Sequence, residues 1–284
     1  MPNHLYARIA LSAFCAAVSL SAAHADDLQV ISDVKESGMF TIANSLSYAP
    51  FEYIDADGQP AGFDVELATA AAAAMGAKLD IQTIPFANQI PALVAGRNKV
   101  AWATFTVTEE RLEQVDFVSF LQTGVVIVTM PEMAETFAVE NAACGRKIAV
   151  QTGSSADFVA DKLAEQCTAA GLAVPEKEIY PDQKDTIQAL MAGRVDARLD
   201  DDTAAGYFQK TSDGKQVVVG KSMFPAPLGV AVRKGDTATA EMMKAVLGRL
   251  IADGTYAKLI ENYGLAVSGV AAPVIYTDPA QLTK

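Results

Sequence analysis

Residues 90–111, IPALVAGRNKVAWATFTVTEER, contain the pattern that decides the fold. An apolar helix ends at an Ala-Gly-Arg triplet, and a short buried strand and a threonine-rich turn follow it. The turn places Arg111 at the start of the next helix, where its planar guanidinium suits a carboxylate. Thr104 and Thr106 are two residues apart on the predicted strand, so their hydroxyls are expected on the same side. The stretch therefore predicts a small anion-binding site.

A second copy of this pattern occurs later in the chain. Residues 90–97 are echoed by residues 187–194, and each copy leads into a short strand followed by polar residues. A repeated unit of helix, Ala-Gly-Arg and strand predicts two similar α/β lobes. The polar residues of the second copy are aspartates, of which Asp201 is the candidate ligand contact. We expect Asp202 to cap the next helix and Asp200 to be exposed.

Two apolar runs are expected to join the lobes. Residues 124–128 are rich in β-branched side chains, and residues 223–232 are apolar and contain two prolines. We interpret them as crossover strands of an α/β protein in which each lobe is a mixed sheet flanked by helices. This predicts residues 26–124 and 228–284 for lobe 1 and residues 125–227 for lobe 2.

The N-terminus is typical of a secretory signal peptide. Residues 9–22 are apolar and mostly small, Arg8 precedes them, and residues 23–25 read Ala-His-Ala, a site of the signal-peptidase type. We therefore expect residues 1–25 to be removed from an exported protein. No later apolar run approaches the roughly 20 residues that a bilayer span requires.

Charge and histidine content exclude several functions. The chain has 22 basic and 34 acidic side chains, a net charge of −12, so nucleic acid is not an expected partner. Both histidines, His4 and His24, lie in the predicted signal peptide. The exported chain would then lack histidine, which argues against Ser-His-Asp and Cys-His catalysis and most zinc sites. We predict no catalytic residue, no metal site and no cofactor.

Two cysteines, Cys144 and Cys167, remain beyond the signal peptide. In an oxidising compartment a disulfide between them is the favoured interpretation, and two unpaired buried thiols are the alternative. The chain-entropy model gives such a disulfide about 3 kcal/mol of stabilisation.

An aromatic loop follows the first strand. Phe51 and Tyr53 share one side of an extended segment, which suits packing, whereas Tyr48 lies in the loop and is free to face a ligand. An alanine-rich helix comes next, and Asp64 is expected to cap it. We expect Trp102 to lie in the core of the first lobe.

The resemblance to a known family rests on six stretches of sequence, which are YAPFEYIDADGQPAGFDVELA, IPALVAGR, TVTEERLEQVDF, VQTGSS, ALMAGRVDA and IADGTYAKLIENYG. Their order and spacing resemble those of extracytoplasmic solute-binding proteins of the polar amino-acid uptake family. The resemblance covers residues 41–264. It implies a two-lobed periplasmic-binding-protein fold of type II and a monomer in the periplasm. Such a protein binds an amino acid by hinge closure and delivers it to the membrane subunits of an ABC permease.

The resemblance also implies how the two ends of an amino acid would be bound. Arg111 would pair with the α-carboxylate, helped by Thr106. The backbone near Thr104 and the turn at Ser155 would supply further donors. Asp201 would bind the α-ammonium. A zwitterion needs one fixed cation and one fixed anion a few ångströms apart. Because these charges would lie on different lobes, a ligand that binds both would hold the two lobes together.

The residues that the resemblance implies around the ligand side chain leave its identity open. Tyr48 and Phe86 would lie on either side of it. Ser45 stands where family members that bind basic amino acids carry an acid, and Gln151 stands where pocket residues vary. These features favour a neutral polar or modestly apolar amino acid. The alternative is a cationic side chain, for which Glu52 or Asp200 would substitute for the missing acid.

Two other functions are found on this fold. A periplasmic cyclohexadienyl dehydratase, acting on prephenate or arogenate, would need a pocket acid that protonates a leaving hydroxyl. An aspartate paired with an ammonium is a poor acid, so a non-enzymatic binding protein is favoured. The residues do not distinguish a transport component from the ligand-sensing partner of a receptor.

Overall fold

The structure, a computed structural model, describes residues 28–282. The predicted signal peptide, residues 1–25, lies outside the described residues. The β-strands are β1 (Met39–Asn44), β2 (Ser47–Tyr48), β3 (Glu52–Ile54), β4 (Pro60–Ala61), β5 (Lys78–Thr83), β6 (Val100–Thr106), β7 (Val115–Thr129), β8 (Lys147–Gln151), β9 (Glu176–Tyr180), β10 (Ala197–Asp201), β11 (Val217–Arg233) and β12 (Ile275–Tyr276). The α-helices are α1 (Ser32–Ser37), α2 (Phe63–Ala74), α3 (Phe86–Val94), α4 (Glu109–Leu112), α5 (Ala134–Phe137), α6 (Ser155–Ala169), α7 (Gln183–Met191), α8 (Asp202–Thr211), α9 (Thr237–Ala252) and α10 (Thr255–Asn262).

One mixed sheet extends through the molecule in the order β5-β1-β6-β11-β7-β10-β8-β9, and β12 pairs with β7. The strands β5, β1 and β6 pair in parallel and form the first lobe with one half of β11 and of β7. The strands β10, β8 and β9 form the second lobe with the other half of β7. The predicted fold, two α/β lobes joined by two crossover strands, is confirmed.

The crossover strands are long because each serves both lobes. β7 has 15 residues and β11 has 17, and their pairing shifts register between Val219 and Ala226. Gly124 lies opposite this irregular segment. A Cβ atom at Gly124 would lie 2.8 Å from the carbonyl oxygen of Met223, so the close approach of the strands requires glycine.

The first lobe has an aromatic core on the sheet. Trp102 is fully buried, as predicted, and its ring centroid lies 6.5 Å from that of Phe40 and 5.8 Å from that of Phe120. The core of the second lobe is smaller. The disulfide between Cys144 and Cys167 links the segment before β8 to α6, which confirms the predicted pairing.

Two predicted helix caps are wrong. Asp64 lies in the first turn of α2, and its Oδ2 accepts a hydrogen bond from the Thr104 N–H at 2.9 Å. Asp202 is the first residue of α8, and its carboxylate accepts from the hydroxyls of Thr123 at 3.0 Å and Ser222 at 2.6 Å. In both cases a donor on a neighbouring strand lies within reach, so the carboxylate binds it instead of the helix terminus.

The segment after α10 lies along the edge of β7. The Ser119 N–H donates to the Val274 carbonyl at 2.9 Å, and β12 continues the pairing. None of the helices in residues 28–282 combines the length and the apolar composition that a bilayer span requires.

Candidate functional site

A cleft between the lobes contains all the predicted site residues. It has about 420 Å³ of empty volume, counting the part that is open to solvent. The predicted residues that line it are Arg111, Asp201, Tyr48, Thr104, Thr106, Phe86, Ser155, Ser45 and Gln151. Five further residues also line the cleft, namely Ala103, Ser154, Ala156, Gln183 and Asp200.

Arg111 is the cation of the cleft. It lies in α4, directly after β6, and Thr108 caps this short helix by accepting a hydrogen bond from the Arg111 N–H at 3.3 Å. The side chain is only 3% exposed. Nη1 donates to the Thr106 carbonyl at 2.6 Å, and Nη2 reaches the second lobe, where it donates to the Gly153 carbonyl at 2.7 Å. These bonds fix the plane of the guanidinium.

Aromatic rings pack against the Arg111 guanidinium. Its central carbon lies 5.3 Å from the Phe105 ring centroid, 5.6 Å from that of Phe86 and 5.5 Å from that of Phe158. Rings at this distance attract a cation and exclude water. Burial lowers the pKa of Arg111 to about 10, and the charge of Asp201 opposes that shift. The arginine therefore stays cationic at neutral pH.

Asp201 is the anion on the opposite side of the cleft. It ends β10, it is 7% exposed, and its Oδ1 accepts a hydrogen bond from the Ser155 hydroxyl at 2.7 Å. Burial raises the pKa of Asp201 to about 7, and the nearby charge of Asp200 adds to that increase. The Ser155 hydroxyl and the charge of Arg111 act in the opposite direction. A cation that bound here would stabilise the carboxylate and so oppose the effect of burial on the pKa.

Asp200 was expected to be exposed, and that prediction is wrong. Its side chain is 3% exposed, and its Oδ2 accepts from Nη1 of Arg198, a fully buried arginine. Its Oδ1 accepts from the Tyr48 hydroxyl at 2.8 Å, across the cleft. Arg198 and Asp200 are two residues apart on β10, so their side chains lie on the same face. That spacing is the sequence signal for this ion pair.

A pair of buried acids lies behind the strand that carries the threonines. Glu52 and Asp64 are both fully buried, and their carboxyl groups face each other. Burial raises the pKa of Asp64 to about 8, and burial together with the charge of Asp64 raises the pKa of Glu52 well above its usual value. Asp64 also holds the N–H of Thr104, a residue with a left-handed φ of 48°. The acid pair therefore positions the backbone of Thr104.

Gln183 lines the cleft and was missed by the sequence analysis. It begins α7, whereas Phe86 begins α3, and the repeat aligns these two positions. The aligned copies are the signal that identifies Gln183 from sequence. Its Nε2 is buried and has no hydrogen-bond partner among residues 28–282. The amide of Gln151, on the same side of the cleft, donates to the Pro181 carbonyl at 3.3 Å.

The donor set of the cleft suits a small zwitterion. One guanidinium, two carboxylates, threonine and serine hydroxyls, and two amides converge on one cavity, and one of the carboxylates, that of Asp200, is paired with Arg198. Among residues 28–282, no cluster of three or more His, Cys, Asp or Glu side chains is placed to hold a metal ion.

Comparison with known proteins identifies the type of protein that this chain resembles. Residues 40–266 match the model of a family described as bacterial extracellular solute-binding proteins, family 3. An arginine-binding protein of Corynebacterium glutamicum is 31% identical over 232 residues, which cover 81% of this chain and 75% of that protein. A probable histidine-binding protein of Neisseria gonorrhoeae is 27% identical over 267 residues, which cover 93% of this chain and 97% of that protein.

A solved structure of similar shape is that of an ancestral amino acid-binding protein, described as a precursor of cyclohexadienyl dehydratase. The two structures superimpose with a TM-score of 0.72 and are 28% identical in sequence. The alignment covers 81% of this chain and 97% of the ancestral protein. Binding proteins and the ancestor of an enzyme therefore share this fold, so the contents of the cleft decide between the two functions.

Proposed function

Because the chain belongs to family 3 of the bacterial extracellular solute-binding proteins, we propose that it binds an amino acid outside the cytoplasmic membrane and delivers it to an ABC permease. One observation carries this proposal. Arg111 and Asp201 are buried on opposite sides of one cleft, and each is bonded to neutral groups rather than to the other. An amino acid has one charge for each of them.

The proposed roles follow from the chemistry of each group. Arg111 binds the α-carboxylate, with Thr106 and the backbone of Thr104 as further donors. The turn at Ser155 supplies further donors to the carboxylate from the second lobe. Asp201 binds the α-ammonium, because a buried carboxylate with a raised pKa gains most from a neighbouring cation.

The ligand side chain is proposed to extend toward the remaining residues of the cleft. Tyr48 and Phe86 border it with aromatic rings, and Ser45 and Gln151 offer polar groups. These four residues choose among amino acids, whereas the charged pair recognises the class.

Closure of the cleft is the proposed conformational step. Lobe 1 would comprise residues 26–124 and 228–284, and lobe 2 would comprise residues 125–227, with the hinge in β7 and β11. A ligand that contacts charges on both lobes stabilises the closed state by its differential affinity. The closed state is the form that the permease subunits would recognise.

The site of action is proposed to be the periplasm. Two relatives are named for binding arginine and histidine, which supports an amino-acid ligand for this chain. Residues 1–25 would direct export and then be removed, and the exported protein is proposed to act as a monomer.

A non-enzymatic role is favoured over dehydration of prephenate or arogenate. Prephenate has no ammonium group, so it would leave Asp201 without a cation. Arogenate has one, but an aspartate that holds it cannot donate a proton to a leaving hydroxyl. Incubation with each compound, followed by an absorbance assay for phenylpyruvate or phenylalanine, should give no product. If either compound were converted to product, the protein would be an enzyme and the proposed non-enzymatic role would be wrong.

The proposal is tested on protein freed of any copurified ligand. The protein is unfolded in denaturant, dialysed and refolded, and its melting temperature is measured with each of the common amino acids. At 100 times the Kd a ligand adds about 2.7 kcal/mol of stability, which should raise the melting temperature by several degrees. If no amino acid raises it, the proposed function is wrong.

A further inference from the structure

The second carboxylate of the cleft, that of Asp200, is already neutralised. Arg198 Nη1 donates to Oδ2, and Arg198 is anchored by Nε, which donates to Gln216 Oε1 at 3.0 Å. The Asp200 Oδ1 accepts from the Tyr48 hydroxyl at 2.8 Å and from the Asp201 N–H at 3.0 Å. Both oxygens of this carboxylate are therefore occupied by groups of the protein itself.

The charges that line the cleft balance without any charge on the ligand side chain. The lining residues include one cationic side chain, Arg111, and two acidic side chains, Asp200 and Asp201. Two of them match the ends of an amino acid, and Arg198 matches the third. A guanidinium or ammonium on the ligand side chain would have no partner, and an unpaired charge at a buried site is destabilising by several kcal/mol.

The buried acid pair does not supply the missing partner. Glu52 and Asp64 lie behind Thr104 and are not among the residues that line the cleft. Burial raises the pKa of both groups, and the charge of Asp64 raises that of Glu52 further, so the neutral forms are favoured. A cationic side chain would have to ionise one of these groups at a further cost.

The uncommitted groups of the cleft are neutral. Gln183 has a buried terminal nitrogen that meets no hydrogen-bond partner in the described part of the chain, and Ser45 adds a hydroxyl. We propose that the bound amino acid has an uncharged side chain with a hydrogen-bond acceptor, such as the amide of glutamine, and that Arg198 enforces this choice by pairing with Asp200. An arginine side chain has donors only and cannot satisfy the Gln183 nitrogen. This inference rests on the proposed function and names its ligand class.

The direct test is the ligand ranking of the wild-type protein. Isothermal titration of the refolded protein with L-glutamine, L-asparagine, L-arginine and L-lysine gives a Kd for each at pH 7.5. The tightest neutral ligand should bind at least tenfold more tightly than arginine. Equal or tighter binding of arginine overturns the inference but leaves the proposed function intact. Failure of every amino acid to bind removes both.

Histidine provides a second test, because the charge of its side chain changes with pH. Between pH 7.5 and 5.5 the neutral fraction of a side chain with a pKa near 6.5 falls about tenfold. The affinity for histidine, divided by the affinity for glutamine at the same pH, should fall by the same factor. The division removes the effect of the protein's own titrating groups. A ratio that is constant or rises at low pH contradicts an uncharged side-chain site.

Variants of the ion pair test the assigned role of Arg198. Arg198→Met leaves Asp200 without its cation, so the ratio of arginine affinity to glutamine affinity should rise at least tenfold. Arg198→Met/Asp200→Asn removes both charges and should retain the wild-type ratio. Equal ratios in the single variant and the wild type contradict the role of Arg198. If far-UV circular dichroism finds the single variant unfolded, the wild-type ranking and the histidine ratio decide the matter.

Discussion

Lowering the pH should weaken amino-acid binding through Asp201. Its carboxyl has a pKa of about 7 in the ligand-free protein, because it is buried and lies near Asp200 and Asp202. An α-ammonium binds only the carboxylate, so below this pH the group must lose a proton before the ligand can bind. The sign is therefore fixed: affinity is highest above pH 7 and falls as the pH drops through it.

The magnitude follows from that pKa. If the bound ammonium returns the pKa of Asp201 to its ordinary value, Asp201 changes its protonation state between pH 8 and pH 5 in the ligand-free protein but stays ionised in the complex. The protonated fraction at pH 5 then weakens binding by roughly 90-fold relative to pH 8, or about 2.7 kcal/mol. Below pH 7 nearly one proton should be released for each ligand bound.

Isothermal titration in two buffers of different ionisation enthalpy measures both the Kd at each pH and the number of protons released on binding. Asp201→Asn should bind amino acids weakly, and its Kd should lose most of the dependence on pH. The matched control is Asp202→Asn, which removes a neighbouring carboxylate that does not line the cleft. This control should keep a pH-dependent Kd, with a midpoint at or slightly below that of the wild type because the charge of Asp202 contributes to the raised pKa of Asp201.

A constant Kd from pH 8 to pH 5 in the wild-type protein would contradict the assignment of Asp201 as the titrating group that binds the α-ammonium. The same profile in the wild type and in Asp201→Asn would refute it as well, because another group would then be titrating. The stability of the ligand-free protein offers an independent readout. A raised pKa means that the ionised carboxylate destabilises the fold, so Asp201→Asn should melt at a higher temperature than wild type at pH 8.

Three further predictions concern binding and stability. Arg111→Met should weaken binding by about 3 kcal/mol or more in isothermal titration, because a buried carboxylate loses its cation, whereas Arg97→Met, at an exposed position, should not change the Kd. Reduction of the disulfide should lower the free energy of unfolding in urea by about 3 kcal/mol without changing ligand affinity. Gly62→Ala should cost about 1–3 kcal/mol, because its Cβ would lie 2.3 Å from the Phe51 carbonyl oxygen and φ is 116°; an unchanged melting temperature would contradict this.

The repeat made the fold predictable from sequence. Residues 90–97 and 187–194 predicted two helices that end at Ala-Gly-Arg, and the structure has α3 and α7 ending at or near these triplets, each followed by a sheet strand. Hydrophobic periodicity and a glycine stop are local signals, so they can be recognised without knowledge of the tertiary structure. The crossover strands were recognised for the same reason, since long β-branched runs favour a buried sheet.

The polar contacts were less predictable because their partners are distant in sequence. Asp64 was expected to cap a helix but binds the N–H of Thr104, and Asp200 was expected to be exposed but lies between Arg198 and Tyr48. A side chain of this kind has several local options, and packing of another element selects one of them. Most of the residues that line the cleft could be predicted, whereas the contacts between distant elements, such as Asp64 with Thr104 and Asp200 with Tyr48, could not.

Arg111 and Asp201 are proposed to bind the two ends of one amino acid. The most direct measurement is a crystal structure of the refolded protein with the amino acid that gives the largest increase in melting temperature. We expect the α-carboxylate in bidentate contact with Arg111 and the α-ammonium within hydrogen-bond distance of Asp201. A ligand bound outside this cleft, or one that contacts neither residue, would contradict it.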